Sequence, residues 1–110
     1  MDDKTTVGEL KEKVRKFCED RDWDHFHNAK DLAIGVITEA SELLEHFRFR
    51  NDKEIAKLFR TPDKRSQICD ELVDVLHTVL RFAQKYDIDL TTELARKMKK
   101  NGNKYPLKKK

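Results

Sequence analysis

The sequence contains few of the residues that interrupt a regular backbone. Only three glycines and two prolines occur in 110 residues, and no repeat or low-complexity segment appears before the C-terminal lysines. Sheet-rich domains need turn residues at short intervals, so this scarcity disfavours them and favours a few long helices. The length allows one small domain. We expect residues 1–106 to form a single helical domain and residues 107–110 to form a basic tail.

Cysteines and long apolar runs are also scarce. Cys18 and Cys69 each fall on an apolar helical stripe and share no metal-binding or redox spacing, which predicts reduced thiols in the core. No segment reaches the roughly 18 apolar residues of a membrane span, and the N-terminus has no apolar signal sequence. We therefore expect a cytoplasmic protein without a membrane partner.

Charged residues are abundant, but the two signs nearly balance. They make up 41% of the chain, whereas the net charge is only +3. The basic excess lies near the C-terminus. A domain that binds nucleic acid with its whole surface would be more basic, so we expect no stable nucleic-acid partner.

Apolar residues at helical spacing predict four helices, with a charged connector before the third. The predicted helices cover about residues 6–22, 28–49, 62–86 and 89–101, and the connector, with one short apolar turn, covers 50–61. This pattern is typical of an all-α four-helix bundle with antiparallel neighbours. The second and third helices are apolar on nearly every side, which is more than one small domain can cover, so we expect self-association.

Two pairs of carboxylates lie within these apolar helices. Glu39 and Glu42 belong to the second helix, and Glu71 and Asp74 belong to the third. Residues three apart project from the same helix face, and antiparallel packing would bring the two pairs together. Four clustered carboxylates repel one another without a cation, and a ligand set of oxygens alone favours a hard ion. The pattern therefore predicts a site for Mg²⁺, or Mn²⁺ in its place, that handles phosphates.

Two other interpretations compete with this one. A ferritin-like di-iron centre would need Glu-x-x-His on two helices, but Glu39 is followed at that spacing by Glu42, and Glu71 by Asp74. The alternative function is a non-enzymatic helical interaction module, in which the acids form a solvated stripe and the basic tail docks a partner. The Leu, Ile and Val neighbours of both acidic pairs favour the metal site.

Five motifs in order along nearly the whole chain resemble one family. They are Arg21-Asp-Trp-Asp-His-Phe-His-Asn28, Leu32 through Glu39-x-x-Glu42-Leu43, Asp70-Glu-Leu-Val-Asp74-Val-Leu76, Asp87-Ile-Asp-Leu90 and Lys97-Met-x-x-x-Asn101-x-x-Lys104-Tyr-Pro106. The sequence resembles the all-α nucleoside triphosphate pyrophosphohydrolases, the MazG-like group, and most closely their dCTP-pyrophosphatase-like branch. This resemblance implies a four-helix bundle of that type and Mg-dependent hydrolysis of a (deoxy)nucleoside triphosphate to the monophosphate and pyrophosphate. It also implies a homodimer or homotetramer.

The resemblance implies roles for individual residues as well. Glu39, Glu42, Glu71 and Asp74 match the metal-binding acids, and Glu42 is our candidate for the catalytic carboxylate that orients water. The substrate-binding positions are matched by Trp23, His27, Phe49, Thr78, Lys97, Asn101 and Lys104. Composition by itself slightly favours a structural role for Trp23 as a core aromatic. Close relatives carry Trp at the position of Phe49 and often Tyr at that of Thr78, so a dCTP-like substrate is expected but the base preference stays open.

Overall fold

The computed structural model describes residues 1–107, apart from the side chain of Phe26. These residues contain five α-helices and no strand, with a short 3-10 turn at Asp24–Phe26. The helices are α1 (Val7–Asp20), α2 (Ala29–Glu45), α3 (Asp52–Arg60), α4 (Pro62–Lys85) and α5 (Leu90–Lys104). The predicted all-α class is confirmed. Residues 108–110, most of the predicted basic tail, lie outside the described residues.

Polar side chains fix where most helices begin. Thr6, Asn28, Asn51 and Asp89 each accept a hydrogen bond from the backbone N–H three residues later, which satisfies a donor that the first helical turn leaves free. The longest helix, α4, begins with Pro62 at its first position, where the missing N–H costs nothing.

The predicted connector between the second and third helices is itself a helix. Asn51 and Glu54 form a reciprocal capping box that starts α3: Asn51 Oδ1 accepts from the Glu54 N–H at 2.9 Å, and Glu54 Oε1 accepts from the Asn51 N–H at 3.4 Å. The prediction overlooked this Asn-x-x-Glu signal. Two helix ends also differ, because α2 stops at Glu45 and α5 continues to Lys104 through the predicted Asn101-Gly102 stop.

Helix α4 is the centre of the fold and packs against α1, α2 and α3. Its main contact is with α2, and these two helices are antiparallel. Gly35 lies against Thr78, whereas Glu39, one turn further along α2, meets Asp74, one turn earlier in α4. On the other side of α4, Leu80 forms a core cluster with Val14 and Cys18 of α1.

Part of the predicted core is on the surface. Cys18 is fully buried, but Cys69 is exposed, so the prediction of two core thiols was wrong for Cys69. Helix α5, all of which is described, contains no buried residue, and Leu94 and Met98 of its predicted core stripe are exposed. A spacing pattern identifies the apolar face of a helix, but not whether the same chain covers that face.

The chain is more open than a compact domain of its length. Its Cα radius of gyration is 17.1 Å, against about 13 Å expected from chain length. Its accessible surface is 9200 Å², against about 6,400 Å² expected for a compact monomer of this mass. No helix in residues 1–107 is long and apolar enough to cross a membrane.

Candidate metal and nucleotide site

The antiparallel contact of α2 with α4 brings the four predicted acids together. Glu39, Glu42, Glu71 and Asp74 each offer a carboxylate oxygen, and these four oxygens lie within 4.8 Å of one another. Each pair spans less than one helical turn, so its two side chains leave the helix on the same side. Glu39 and Glu71 are half-buried, while Glu42 and Asp74 are exposed. The cluster therefore has a shielded side and a side open to solvent.

Crowding makes these carboxyl groups hard to ionise. Burial raises the pKa of Glu39, and the negative charges of Glu42, Asp74 and Glu71 raise it further. The pKa of Glu71 is raised by burial first, then by a hydrogen bond with Glu42 and the charges of Glu42 and Asp74, while His46 opposes the shift. Like charges this close favour protonation unless a cation compensates them.

The donor set fits a hard divalent cation. Glu39 Oε2 is buried and has no hydrogen-bond partner within residues 1–107, which is costly for a carboxylate oxygen. A cation held between the two helices would coordinate this oxygen. All four candidate ligands are carboxylates. Mg²⁺ and Mn²⁺ bind such oxygen ligands, whereas softer metals select His or Cys. The structure thus contains an acidic cluster that could bind a divalent metal.

A cavity of about 210 Å³ lies one helical turn from this cluster. Gly35 and Thr78 line it, and each is four residues from a clustered acid, Glu39 or Asp74, which is about 6 Å along a helix. The remaining lining residues are Trp23, His27, Asp31, Leu32, His77 and Arg81. The cavity and the acids form one continuous region along the α2–α4 contact.

The segment between α1 and α2 closes one side of the cavity with aromatic rings. Trp23, which is 39% exposed, makes an edge contact with Phe17 at 5.6 Å and with His27 at 6.2 Å between ring centroids. Phe17 also makes an edge contact with His77 at 5.6 Å. Trp23 is therefore anchored on its neighbours while part of its surface faces the cavity and solvent. Trp23 is thus both packed on neighbouring rings, as expected of a structural aromatic, and partly open to the cavity, as expected of a substrate-binding residue.

Arg81 is a cavity residue that the sequence prediction missed. Among the described side chains it is the one charged group that is buried, and it is 1% exposed. Its guanidinium donates hydrogen bonds to Asp24 Oδ1, to Gln84 Oε1 and, at 3.0 Å, to His27 Nδ1. The available signal was a single charge within the apolar run Val79–Ala83. Asp31, Leu32, Gly35 and His77 were also not predicted to line the site.

Four of the predicted substrate-binding residues are elsewhere on the surface of the chain. Phe49 has a left-handed backbone, with φ of 64°, and its side chain is 93% exposed beside Arg48, whose guanidinium carbon lies 4.9 Å from the ring centroid. Lys97, Asn101 and Lys104 are exposed on α5. None of the four lines the cavity, whereas Trp23, His27 and Thr78 do.

Two mammalian proteins are similar in sequence to this chain. The chain is 29% identical over 102 residues to dCTP pyrophosphatase 1 of Rattus norvegicus, covering 93% of this chain and 60% of that protein. It is 30% identical over 101 residues to dCTP pyrophosphatase 1 of Homo sapiens, covering 92% of this chain and 59% of that protein. The chain thus spans about 60% of the length of these mammalian relatives.

A solved structure and a family profile extend the comparison. The crystal structure of a pyrophosphatase from Archaeoglobus fulgidus superposes with a TM-score of 0.83 at 32% identity, and the match covers 91% of this chain and 92% of that one. The profile of the MazG-like family matches residues 34–110, which include all four clustered acids. With the profile covering more than half of the sequence, the chain belongs to the MazG-like family.

Proposed function

We propose that this chain is a Mg²⁺-dependent nucleotide pyrophosphohydrolase that converts a (deoxy)nucleoside triphosphate to its monophosphate and pyrophosphate. The observation that carries this proposal is the set of four carboxylate oxygens within 4.8 Å of one another, beside a cavity of about 210 Å³. An interaction module with a solvated acidic stripe has no need for a buried carboxylate oxygen that, like Glu39 Oε2, finds no hydrogen-bond partner in the described part of the chain.

The two parts of the site suit the two ends of a nucleotide. The acidic cluster would hold the metal and, through it, the phosphates, which carboxylates alone would repel. When bound, Mg²⁺ neutralises polyphosphate charge and eases deprotonation of water near neutral pH. The ring of Trp23 lines the cavity and could stack on a base, and polar groups on His27, Asp31 and His77 could bond to the base or sugar. The substrate would then lie along the α2–α4 contact.

The chain's own groups supply the proton transfer in this scheme. Glu42 is exposed on the open side of the cluster, where its carboxylate could orient a water molecule and accept its proton. The water oxygen would bond to the α-phosphorus as the bond to the α–β bridging oxygen breaks. Pyrophosphate leaves with that oxygen, and the monophosphate stays in the cavity. Glu39, Glu71 and Asp74 would remain metal ligands.

A dCTP-like nucleotide is our proposed substrate because the mammalian relatives are named dCTP pyrophosphatase 1. The Thr78 hydroxyl donates its proton to the Asp74 carbonyl of its own helix at 3.1 Å, so towards the base it could only accept a hydrogen bond. The other polar groups that could select the base belong to His27, Asp31 and His77, which line the cavity.

We also propose that the chain forms a homodimer or homotetramer in which a second copy covers exposed apolar surface. An apolar groove of about 320 Å³ runs between α1, α4 and α5, lined by Val7, Leu10, Leu76, Leu80, Leu90, Thr91, Leu94, Ala95 and Met98. The surface in excess of a compact monomer, 9200 Å² against about 6,400 Å², is larger than one partner buries in a standard interface. In such a homodimer or homotetramer, the exposed Phe49, Lys97, Asn101 and Lys104 could contribute to a neighbouring copy's nucleotide site.

Pyrophosphate release from a panel of ribo- and deoxyribonucleoside triphosphates, with and without Mg²⁺, tests the proposal. We expect one pyrophosphate and one monophosphate per triphosphate, strict dependence on the metal, and highest kcat/KM with dCTP. Glu71→Ala should lower turnover by on the order of 100-fold or more. Glu45→Ala is the matched control, because Glu45 is an exposed acid on α2 outside the cluster, paired with Arg48. Release of orthophosphate, or full activity in Glu71→Ala, would contradict the proposal.

A further inference from the structure

The buried guanidinium of Arg81 connects α4 to the segment between α1 and α2. Asp24, which accepts one of its hydrogen bonds, also lies 3.8 Å from Lys85 Nζ, and Lys85 donates to the Asp24 backbone carbonyl. Arg81 and Lys85 lie one turn apart on α4, so they hold the 3-10 turn at two points. The hydrogen bond with Arg81 and the charge of Lys85 lower the pKa of Asp24. The Trp23–His27 wall of the cavity is therefore attached to the central helix.

The bond from Arg81 to His27 decides where the imidazole carries its proton. A guanidinium has donors but no acceptor, so His27 Nδ1, 3.0 Å from Arg81 Nε, must accept with its lone pair. The proton of the neutral ring is then on Nε2. Burial lowers the pKa of His27, and the charges of Arg81 and Lys85 lower it further, which keeps the ring neutral at pH 7. The cavity residue His27 is thereby left with one N–H donor of fixed identity.

We propose that Arg81 is a positioning residue for substrate binding, because it fixes His27 as the Nε2–H tautomer that donates to an acceptor atom of the bound nucleoside. The effect of Arg81 on substrate affinity rests on the proposed function, whereas the tautomer of His27 can be measured without it. A carbonyl oxygen or unprotonated ring nitrogen of a base, or a sugar oxygen, has the required chemistry. The acids lie on the far side of Gly35 and Thr78, where the proposed function would also place the reacting phosphate. Arg81 therefore acts on affinity and not on the chemical step.

The first test measures the tautomer directly in the protein without metal or nucleotide. Nitrogen-15 NMR of the histidine rings should show His27 with an unprotonated Nδ1 and a protonated Nε2. In Arg81→Met, which keeps an unbranched side chain but removes every donor, the tautomers should mix. A proton on Nδ1 of His27 in the unaltered protein would overturn the inference, whether or not the protein hydrolyses nucleotides. Absence of all hydrolysis would instead remove the proposed function and leave this result standing.

The second test separates KM from kcat. Arg81→Met should raise KM about fivefold, because His27 loses both its single tautomer and the fixed orientation of its ring, with kcat changed less than about twofold. Arg15→Met is the matched control, because the Arg15 guanidinium also bonds two side chains, Glu12 and Glu19, but lies outside the cavity. The control should retain the KM of the unaltered protein.

A double-mutant cycle shows whether Arg81 acts through His27. KM of the double variant Arg81→Met/His27→Ala should match that of His27→Ala within about twofold. If the increase in KM of the double variant equals the product of the increases in the two single variants, Arg81 acts independently of His27. That result would overturn the inference. If Arg81→Met does not fold, Asp24→Asn replaces it, since it weakens the anchor of the guanidinium from an exposed position. Asp24→Asn should then raise KM and mix the His27 tautomers, and an unchanged His27 spectrum would count against the inference.

Discussion

Glu39 combines the two properties that set the chemistry of this site. Its Oε2 is buried and has no hydrogen-bond partner among residues 1–107, and its carboxyl group lies beside three others. A folded, metal-free chain must either protonate such a group or bear its repulsion. The same feature that destabilises the metal-free chain provides the affinity for a cation. We therefore expect a trade between stability and metal binding at this residue.

Replacement of Glu39 by Gln should stabilise the metal-free protein at neutral pH. In the folded chain the pKa of Glu39 is raised above the ordinary value of 4.5, which applies to the unfolded chain. Between the unfolded and the folded pKa, the folded chain therefore binds more protons than the unfolded chain. The destabilising effect of Glu39 on the folded, metal-free chain is absent below pH 4.5. It grows as the pH rises from 4.5 to the folded pKa and is fully present above it. Thermal unfolding in EDTA should show Glu39→Gln with a higher Tm than the unaltered chain at pH 7 and an equal Tm near pH 4.

Added Mg²⁺ should reverse that order. The unaltered chain should gain Tm with metal concentration through preferential binding to the folded state, and Glu39→Gln should gain little. Glu45→Gln should behave as the unaltered chain throughout, because it removes an exposed carboxylate outside the cluster. Equal Tm values for the unaltered chain and Glu39→Gln in EDTA at pH 7 would show that the cluster carries no repulsion.

At the scale of the helices, the contact between α2 and α4 determines the shape of the site. Gly35 allows a close approach, since a Cβ at this position would lie 3.2 Å from Thr78 Cγ2. Both residues line the cavity between the acids and the buried Arg81. The spacing of the helices at this point thus controls both the width of the cavity and the distance between the two acidic pairs.

Gly35→Ala should widen the helix contact and reduce substrate affinity. An alanine gains up to about 1 kcal/mol in helix propensity over glycine, but overpacking typically costs about 1–3 kcal/mol. We expect a Tm that is unchanged or slightly lower and a KM several-fold higher. Thr78→Ser removes the obstructing methyl group, so the double variant Gly35→Ala/Thr78→Ser should recover Tm and most of KM. If the double variant has the same Tm and KM as Gly35→Ala, contact with the Thr78 methyl group is not the cause of the loss.

The whole molecule exposes more apolar surface than an isolated chain of this size should. Each of α2, α4 and α5 has exposed apolar residues, among them Ile37, Val73 and Leu94. The radius of gyration of 17.1 Å fits a chain whose helices splay to meet another copy. Hydrophobic burial within one chain is then incomplete, so folding and association should be coupled.

Light scattering should therefore give a dimer or tetramer, and a charge in the groove should disrupt it. Leu94 is 62% exposed in the single chain and lines the apolar groove, so Leu94→Glu should favour monomers and lower Tm without direct damage to the core. Leu107→Glu makes the same change at a position that is 98% exposed outside the groove and should leave the assembly intact. A folded, active monomer of the unaltered chain would contradict this prediction.

Local spacing was enough to predict α1, α2, α4 and α5, though not every helix end, and the shared face of each acidic pair. Glu39 with Glu42 and Glu71 with Asp74 are fixed by the pitch of a helix, and the antiparallel meeting of α2 with α4 needed only the bundle topology. The capping box of α3 was equally local and was simply overlooked.

Only the tertiary structure decided which distant segments touch. Arg81 meets Asp24 and His27 across more than fifty residues of sequence, and no periodicity encodes that contact. Burial is also not encoded locally: Cys69 is exposed, although the adjacent Ile68 is buried. Helical pitch is a property of neighbouring residues, whereas burial and cavity lining depend on how helices dock, and docking is settled by the packing of the whole chain.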